Sequence, residues 1–385
     1  MKREMHLAIN TLFLIPGEVG GSETYFRETV RAIAKHHSDI RLTLFTNLEN
    51  DASMRELLSD YTETRFERLN FRATNRYARI IREQTELPRR VTKSGCDILW
   101  SPGYTAAVMA PCPQALTIHD MQYKRFPEDL TWLARLTTHL LVQAGVRRCK
   151  VILTPSEFAR QEVAQFTGAN PDRLRVTPEA ADPAFAATPP GPGGSPRLAA
   201  LLNGAGPYVL TVGHSYPHKN LHALVEAFDA ICESREHRLV IVGKARLGEP
   251  RLQEALRNAK HTERVVRLSG VAFEDLVLLY QGAALFAFPS LYEGFGLPVL
   301  EAMTAGTPVI AAREASIPEV GGDSITYFDP NTPGDLERML NTVLDMAPAQ
   351  LDAIVSAARE HARGFSWQKT AAATVDALRS IVAGQ

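Results

Sequence analysis

Two glutamates with seven residues between them, Glu293 and Glu301, stand in FPSLYEGFGLPVLEAMTAG, residues 288–306. Carboxylates are good bidentate acceptors for vicinal hydroxyls, so the pair suits a polyhydroxylated ligand. Gly294 and Gly296 let the backbone around Phe295 approach that ligand closely. Pro298, after Leu297, fits the first turn of a helix, where its missing N–H costs little. The N–H groups and positive end of such a helix favour an anion or an oxygen-rich group. An acidic residue matched to a helix dipole is the competing account of Glu301 taken alone. That account leaves the rest of the segment unexplained.

A cation supplies the complement. In YVLTVGHSYPHKNLHALVEAF, 208–228, a strand ends at Gly213, a loop carries His214 and His218, and Lys219 precedes a helix. Asn220 is the expected N-cap of that helix. A lysine there opposes the helix dipole by about 0.3–1 kcal/mol if exposed. A bound anion turns that cost into a gain. An exposed turn lysine is the plainer alternative. In the first half, IPGEVGGSETYFRETVRAI, 15–33, has Gly20-Gly21 followed by Ser22, an expected N-cap. TIHDMQYKRFPE, 117–128, places His119 and Asp120 at the end of a buried strand. A histidine there is commonly a structural hydrogen-bonding residue, and Asp120 is a candidate to orient it. Gly243-Lys244 and Gly270-Val271 also close strands.

The elements that must position these residues alternate. Short apolar runs predict strands at 6–10, 41–47, 97–101, 115–119, 151–154 and 173–177, then at 208–213, 238–243, 265–269, 284–289, 308–312 and 325–328. Helical patterns lie between many of them, notably at 23–36 and 129–148. Near-continuous apolar strands alternating with helices imply parallel sheets covered on both faces. The fold class is therefore α/β, with two Rossmann-like doubly wound domains. The stretch ATPPGPGGSPR, 187–197, cannot sustain a helix or a central strand. It divides the chain into a domain at 1–186, a linker at 187–205, a domain at 206–365, and a C-terminal helix at 366–385 that packs back on the first domain. Two such sheets are expected to face each other across a cleft, with ligands beyond the carboxyl ends of the strands.

The EGFGLPVLE segment resembles the Glu–seven residues–Glu signature of retaining glycosyltransferases of family 4, which have the GT-B fold, and other segments match in order along nearly the whole chain. The resemblance implies that Glu293 and the backbone of Gly294, Phe295, Gly296 and Leu297 bind the donor sugar, and that Glu301 binds the ribose. It implies that Lys219 holds the donor diphosphate and that Gly20-Gly21 approach the phosphates and the acceptor. By the same resemblance His119 contacts the donor sugar near the reacting carbon, with Asp120 a weaker acceptor candidate. Gly213, Gly243-Lys244 and Gly270-Val271 fall where the family's strand ends meet the donor. The sequence departs from the pattern at His214 and His218, where family members carry arginine. Ser156 and Asp182 match weaker elements, and 316–319 resembles a packing element without assigned chemistry. No Asp-x-Asp pair is present, so Lys219, loop amides and a helix N-terminus are expected to neutralise the leaving diphosphate without a metal or other cofactor. The segments look most like bacterial mannosyl- and rhamnosyltransferases of surface-polysaccharide assembly, which points to GDP-mannose.

Bulk properties bound the rest. The chain has 385 residues, 45% apolar and 22% charged, with net charge -1. That charge offers no global field for nucleic acid. Four cysteines without C-x-x-C spacing argue against a metal site or a disulfide framework and suit a reducing cytoplasm. MKREMHLAIN lacks a secretory apolar core, and no apolar run reaches the ~18 residues of a membrane span. Residues 72–93 carry seven Arg/Lys against two Glu, and 124–150 is also basic. Most such stretches are solvated helices, yet basic amphipathic helices also dock on anionic membranes. A glycan or lipid-linked acceptor at the cytoplasmic face of the inner membrane is the resulting expectation. A dinucleotide oxidoreductase needs G-x-G-x-x-G after the first strand, and the glycines here are wrongly spaced. A nucleotide-sugar epimerase or hydrolase of the same fold, or a non-catalytic binding subunit, remains as the rival reading.

Overall fold

A computed structural model describes residues 4–127, 130–187, 196–202, 204 and 206–382. The chain divides into two compact units, Met1–Ala180 with Phe365–Gln385, and Ala181–Gly364. The first unit holds β1 (Met5–Asn10), β2 (Ile40–Thr46), β3 (Arg65–Arg68), β4 (Ile98–Ser101), β5 (Gln114–Thr117), β6 (Val151–Thr154) and β7 (Leu174–Val176). Their order in the sheet is β3-β2-β1-β4-β5-β6-β7, all parallel. Between them run α1 (Gly21–His36), α2 (Asp51–Leu57), α3 (Arg76–Ser94), α4 (Gln122–Arg125), α5 (Trp132–Arg148) and α6 (Glu157–Thr167). Every residue of β1, β4, β5 and β6 is buried, which is why these strands read as short, mostly apolar runs.

The second unit holds α7 (Pro196–Leu201), β8 (Tyr208–Val212), α8 (Leu221–Ile231), β9 (Arg238–Val242), α9 (Glu249–Asn258), β10 (Val265–Leu268) and α10 (Phe273–Gly282). It continues with β11 (Leu285–Phe288), α11 (Leu297–Ala305), β12 (Val309–Ala312), α12 (Ile317–Gly321), β13 (Thr326–Phe328), α13 (Asp335–Leu344) and α14 (Pro348–Ala362). The sheet order is β10-β9-β8-β11-β12-β13, again parallel. Leu221, Leu224, Val225, Phe228 and Ile231 form one face of α8 and pack on the sheet through Val209, Leu239 and Ile241.

The last helix, α15 (Trp367–Val382), belongs to the first unit. Trp367, Ala371, Val375 and Leu378 recur at helical spacing and join the core of Leu7, Ile9, Tyr25 and Val30. Thr370 Oγ1 donates to Pro178 O at 2.5 Å and Arg379 pairs with Asp39 at 2.5 Å, which fixes the helix at both ends.

Several local expectations change. β3, RFER, was not anticipated, because it is a short charged edge strand with no buried residue. Ser22 does not cap α1: the helix begins at Gly21, and Gly20 occupies the cap position with φ 65°. Asn220 stands at the cap of α8 but lies in the left-handed region at φ 53°, and its side chain does not cap. The division between units falls after Ala180. Most of the Pro/Gly stretch, 188–195, lies outside the described residues, and its end is helical from Pro196. Proline is tolerated there because the first N–H of a helix has no intrahelical partner. Cys96 and Cys112 bring their sulfurs to 3.9 Å as free thiols, a juxtaposition hidden by their separation in sequence.

Candidate functional site

In the second unit the direction of winding reverses between β8 and β11, which are hydrogen-bonded neighbours. Ligands of open α/β sheets bind beyond the strand ends at such a switch point. The loop after β8 carries Lys219, and the loop after β11 carries Glu293. The two meet: Lys219 Nζ forms an ion pair with Glu293 Oε1. Both side chains are largely shielded, at 17% and 14% exposure. The ammonium also lies 5.5 Å from the Phe288 ring centroid, within cation–π range. Leu291 N donates to His218 O at 2.8 Å and ties the two loops together.

Glycine geometry permits this approach. A Cβ on Gly243 would lie 2.1 Å from Gly213 O, so the ends of β9 and β8 come together only without a side chain there. Gly296 caps α11 with φ 106°, a conformation that L side chains rarely adopt. Gly270, beyond β10, has φ 65°. Lys244 and Val271 follow the ends of β9 and β10 and are partly exposed.

His218 is not a phosphate cation of the kind an arginine provides. His218 is buried and stacked on Tyr216, with centroids 5.6 Å apart and planes 14° apart. Burial, with the Lys219 charge beside it, pushes its pKa down to about 4, so the ring is neutral at pH 7. His214 Nδ1 accepts from Lys244 N at 3.1 Å and clamps the loop after β8 to that after β9.

Five supporting residues, Tyr280, Ser316, Ser215, Glu249 and Arg267, were assigned no chemistry from the sequence. Tyr280 on α10 is buried and donates its hydroxyl to Glu301 Oε2 at 2.7 Å. Burial and the Glu301 charge push the phenol well above its ordinary pKa, so it stays a donor. Ser316 Oγ lies 2.9 Å from Glu293 O and 2.7 Å from Phe295 O, and so holds the loop that presents Glu293. The segment set aside as mere packing therefore shapes the site. Ser215 Oγ donates to Glu249 Oε2 at 2.7 Å, and Arg267 grips the Glu249 carboxylate with two bonds of 2.5 and 3.0 Å. The Arg267 guanidinium holds the Glu249 carboxyl down at about 2. A depressed carboxyl pKa contributes stability that is present above the ordinary value of 4.5 and is lost as pH falls toward about 2. Glu249→Gln is accordingly expected to flatten the fall of the melting temperature across that acid window. A slope equal to wild type in thermal melts would show that the pair adds nothing.

The first unit places its own candidates at the ends of neighbouring strands. His119, two residues beyond β5, sets Nε2 at 3.2 Å from Pro102 O, beyond β4. Its Nδ1 lies 3.6 Å from Glu179 Oε1, and both side chains are 6% exposed. The edge of Tyr25 packs on the ring at 4.9 Å and 86°. Glu179 is thus a charged neighbour of His119 that the sequence did not mark. Asp120, a candidate to orient His119 or an acceptor, accepts from Gln122 N at 2.9 Å at the start of α4. The groups facing the His119 ring nitrogens are Pro102 O and Glu179. Gly20 and Gly21 begin α1, after a loop braced by Gly17 N donating to Glu23 Oε2 at 2.8 Å. The structure brings Lys219, Glu293 and the strand-end glycines together in one unit and places His119, Asp120 and Gly20-Gly21 in the other.

Two family models match in tandem. Glycosyltransferase Family 4 spans residues 19–185, and Glycosyl transferases group 1 spans residues 199–361. The O-antigen chain mannosyltransferase B of Escherichia coli is 31% identical over 234 residues, covering 60% of this chain and 60% of its own length. The O-antigen chain mannosyltransferase RfbU of Salmonella typhimurium is 27% identical over 218 residues, 57% of each chain. The chain thus matches less than two thirds of the length of these relatives. The crystal structure of Anabaena Alr3699/HepE in complex with UDP and glucose has a TM-score of 0.74 at 20% identity, covering 98% of this chain and 100% of that one. Likeness at that identity shows the fold, which is GT-B.

Proposed function

Because the chain belongs to glycosyltransferase family 4, we propose that it moves a mannosyl group from GDP-mannose to a glycan or lipid-linked glycan in surface-polysaccharide assembly. The observation that carries this reading is the meeting of Lys219 with Glu293 at the β8/β11 switch point. A cation for a diphosphate and a carboxylate for sugar hydroxyls stand side by side, where a nucleotide-sugar presents both groups. The mannosyl group rests on the relatives, both described as O-antigen chain mannosyltransferases; the guanine base rests only on the resemblance of the sequence segments.

The reading gives each residue a task. Donor binding exchanges the ion pair: Lys219 turns to the diphosphate, and Glu293 accepts from hydroxyls of the sugar. The first turn of α11 offers N–H groups and the positive helix end to the developing charge. Glu301, with one oxygen held by Tyr280, presents its carboxylate to the ribose. The bond from the anomeric carbon to the diphosphate oxygen breaks, and a bond to the acceptor oxygen forms on the same face. The acceptor proton passes to the departing phosphate oxygen. The leaving charge is neutralised by Lys219 and backbone amides, without a metal. The lipid-linked acceptor places the protein at the cytoplasmic face of the inner membrane.

Thermal-shift measurement with GDP-mannose, UDP-glucose and a dTDP-sugar tests the donor. A ligand at 100 times its Kd adds about 2.7 kcal/mol, enough to raise the melting temperature visibly. GDP-mannose is expected to give the largest shift, and the product to keep the donor's anomeric configuration by NMR. A shift with UDP-glucose alone would overturn the donor assignment. Release of free mannose without acceptor would favour a hydrolase, and tight binding without turnover a binding subunit.

A further inference from the structure

Helices α3 and α5 turn apolar side chains outward. On α3, Tyr77, Ile81, Thr85, Arg89 and Lys93 follow one another at four-residue steps and form an inclined exposed row. All five are exposed, Tyr77 to 72%. The opposite face, with Glu83, Leu87, Pro88 and Val91, is the buried one. On α5, Val142, Gly145 and Val146 face the core, while Trp132, Leu136 and Leu140 form a second exposed row at four-residue steps. Trp132 is 74% exposed.

These rows share one surface. Arg76 on α3 donates through Nη2 to Ala134 O at 3.3 Å and to Thr138 Oγ1 at 2.8 Å on α5. The loop bearing Met109, 73% exposed, is strapped to both helices. Val108 N donates to Gln84 Oε1 on α3 at 3.0 Å, and Arg148 Nε on α5 donates to Val108 O at 3.2 Å. Seven of the ten large apolar side chains that are exposed among the described residues fall on α3, α5 and this loop. That concentration sets the region apart from ordinary scattered surface apolar residues.

Charge selects the occupant. Residues 72–93 hold seven Arg/Lys against two Glu, and 124–150 hold six against two acids. Glu86 is engaged by Arg82 at 2.6 Å and Arg90 at 2.7 Å. Arg89, Lys93, Arg135 and Arg147 are exposed beside the apolar rows. A two-fold dimer would set this face against its own copy, basic against basic. An anionic bilayer offers an apolar interior and the opposite sign together. Trp and Tyr favour the headgroup level of membranes. No helix among the described residues is long and apolar enough to cross one, so the contact is docking.

We infer that the α3–α5 face of the first unit is a docking surface for an anionic lipid bilayer, with Trp132 and Tyr77 at the headgroup level and the basic residues against lipid phosphates. The inference rests on the proposed function only in that the bilayer would hold the lipid-linked acceptor; docking itself needs no donor. The test is sedimentation of the full chain with vesicles of phosphatidylcholine, alone and mixed with phosphatidylglycerol. Sedimentation is expected only with the anionic vesicles and is expected to weaken as salt rises. Tyr77→Ser/Trp132→Ser is expected to lower vesicle affinity at least about tenfold by removing interfacial anchors. Arg89→Glu/Lys93→Glu is expected to lower it similarly and to reduce the salt dependence. Both variants are expected to keep the wild-type melting temperature and its shift with GDP-mannose. A failed donor assignment would change that shift in wild type and leave sedimentation untouched. Absence of wild-type binding to anionic vesicles at low salt would overturn the inference, as would full binding by Tyr77→Ser/Trp132→Ser. A wild-type dimer in light scattering that this variant converts to monomer would reassign the face to a second copy of the chain.

Discussion

Lys219→Ala is expected to lower sugar transfer by about 10²–10³-fold, as loss of a single preorganised charge at a developing anion does elsewhere. The fold is expected to remain, since Lys219 ends a single short turn between β8 and α8 and contributes no apolar side chain to the core. Two effects add. The diphosphate loses its cation, and the Glu293 carboxylate left beside it becomes an uncompensated negative charge. Glu293→Ala is expected to impair transfer comparably through the lost contacts to the sugar. If the two residues act on different parts of the donor, the double variant is worse than either single one. If Glu293 only holds Lys219 in place, the double variant equals Lys219→Ala. Steady-state kcat and KM for the donor, with circular dichroism as the control for folding, decide the matter. Near-normal turnover by Lys219→Ala would remove it from the mechanism.

Gly243→Ala is expected to destabilise the second unit by about 2–4 kcal/mol and to abolish nucleotide binding. The added Cβ would meet Gly213 O at 2.1 Å and Gly213 C at 2.6 Å, both backbone atoms. They cannot retreat easily, because Gly213 N donates to Val242 O at 2.9 Å and β8 is locked in register with β9. Gly270→Ala is the comparison within the same unit. Its φ of 65° strains a side chain, but nothing lies within 4 Å of the new Cβ. A cost of about 1–2 kcal/mol is expected there. Equal stability of the two variants in denaturant titrations would show that the strand ends separate without penalty.

The parts of the site that were legible before the fold are those where chemistry restricts residue type within one loop. Glu293, the glycines around Phe295, and Pro298 all serve a single strand–loop–helix transition, so their order in the chain mirrors their order in space. The strands were legible for a similar reason: a strand buried on both faces is mostly apolar, as β1 and β4 are, with His6, Asn10 and Ser101 the buried polar exceptions. β3 escaped because an edge strand has no such constraint. His218 shows the converse limit. Its position beside Lys219 suggested a phosphate ligand, but its charge depends on burial, and burial depends on the packing of Tyr216 and the loop after β11.

Composition and local motifs therefore determined the α/β class, the family resemblance, and the candidacy of Lys219, Glu293 and Glu301 as ligand-binding residues. The tertiary structure alone decided what surrounds them. It placed Lys219 on Glu293 by making β8 and β11 neighbours. It brought Tyr280 to Glu301, Ser316 to the Glu293 loop, and Glu179 to His119. It also left Trp132 and Tyr77 in solvent. The physical reason is common to the four contacts. Hydrogen bonds, ion pairs and burial act between groups within a few ångströms in space, and parallel strands joined by crossovers make such neighbours of residues far apart in the chain.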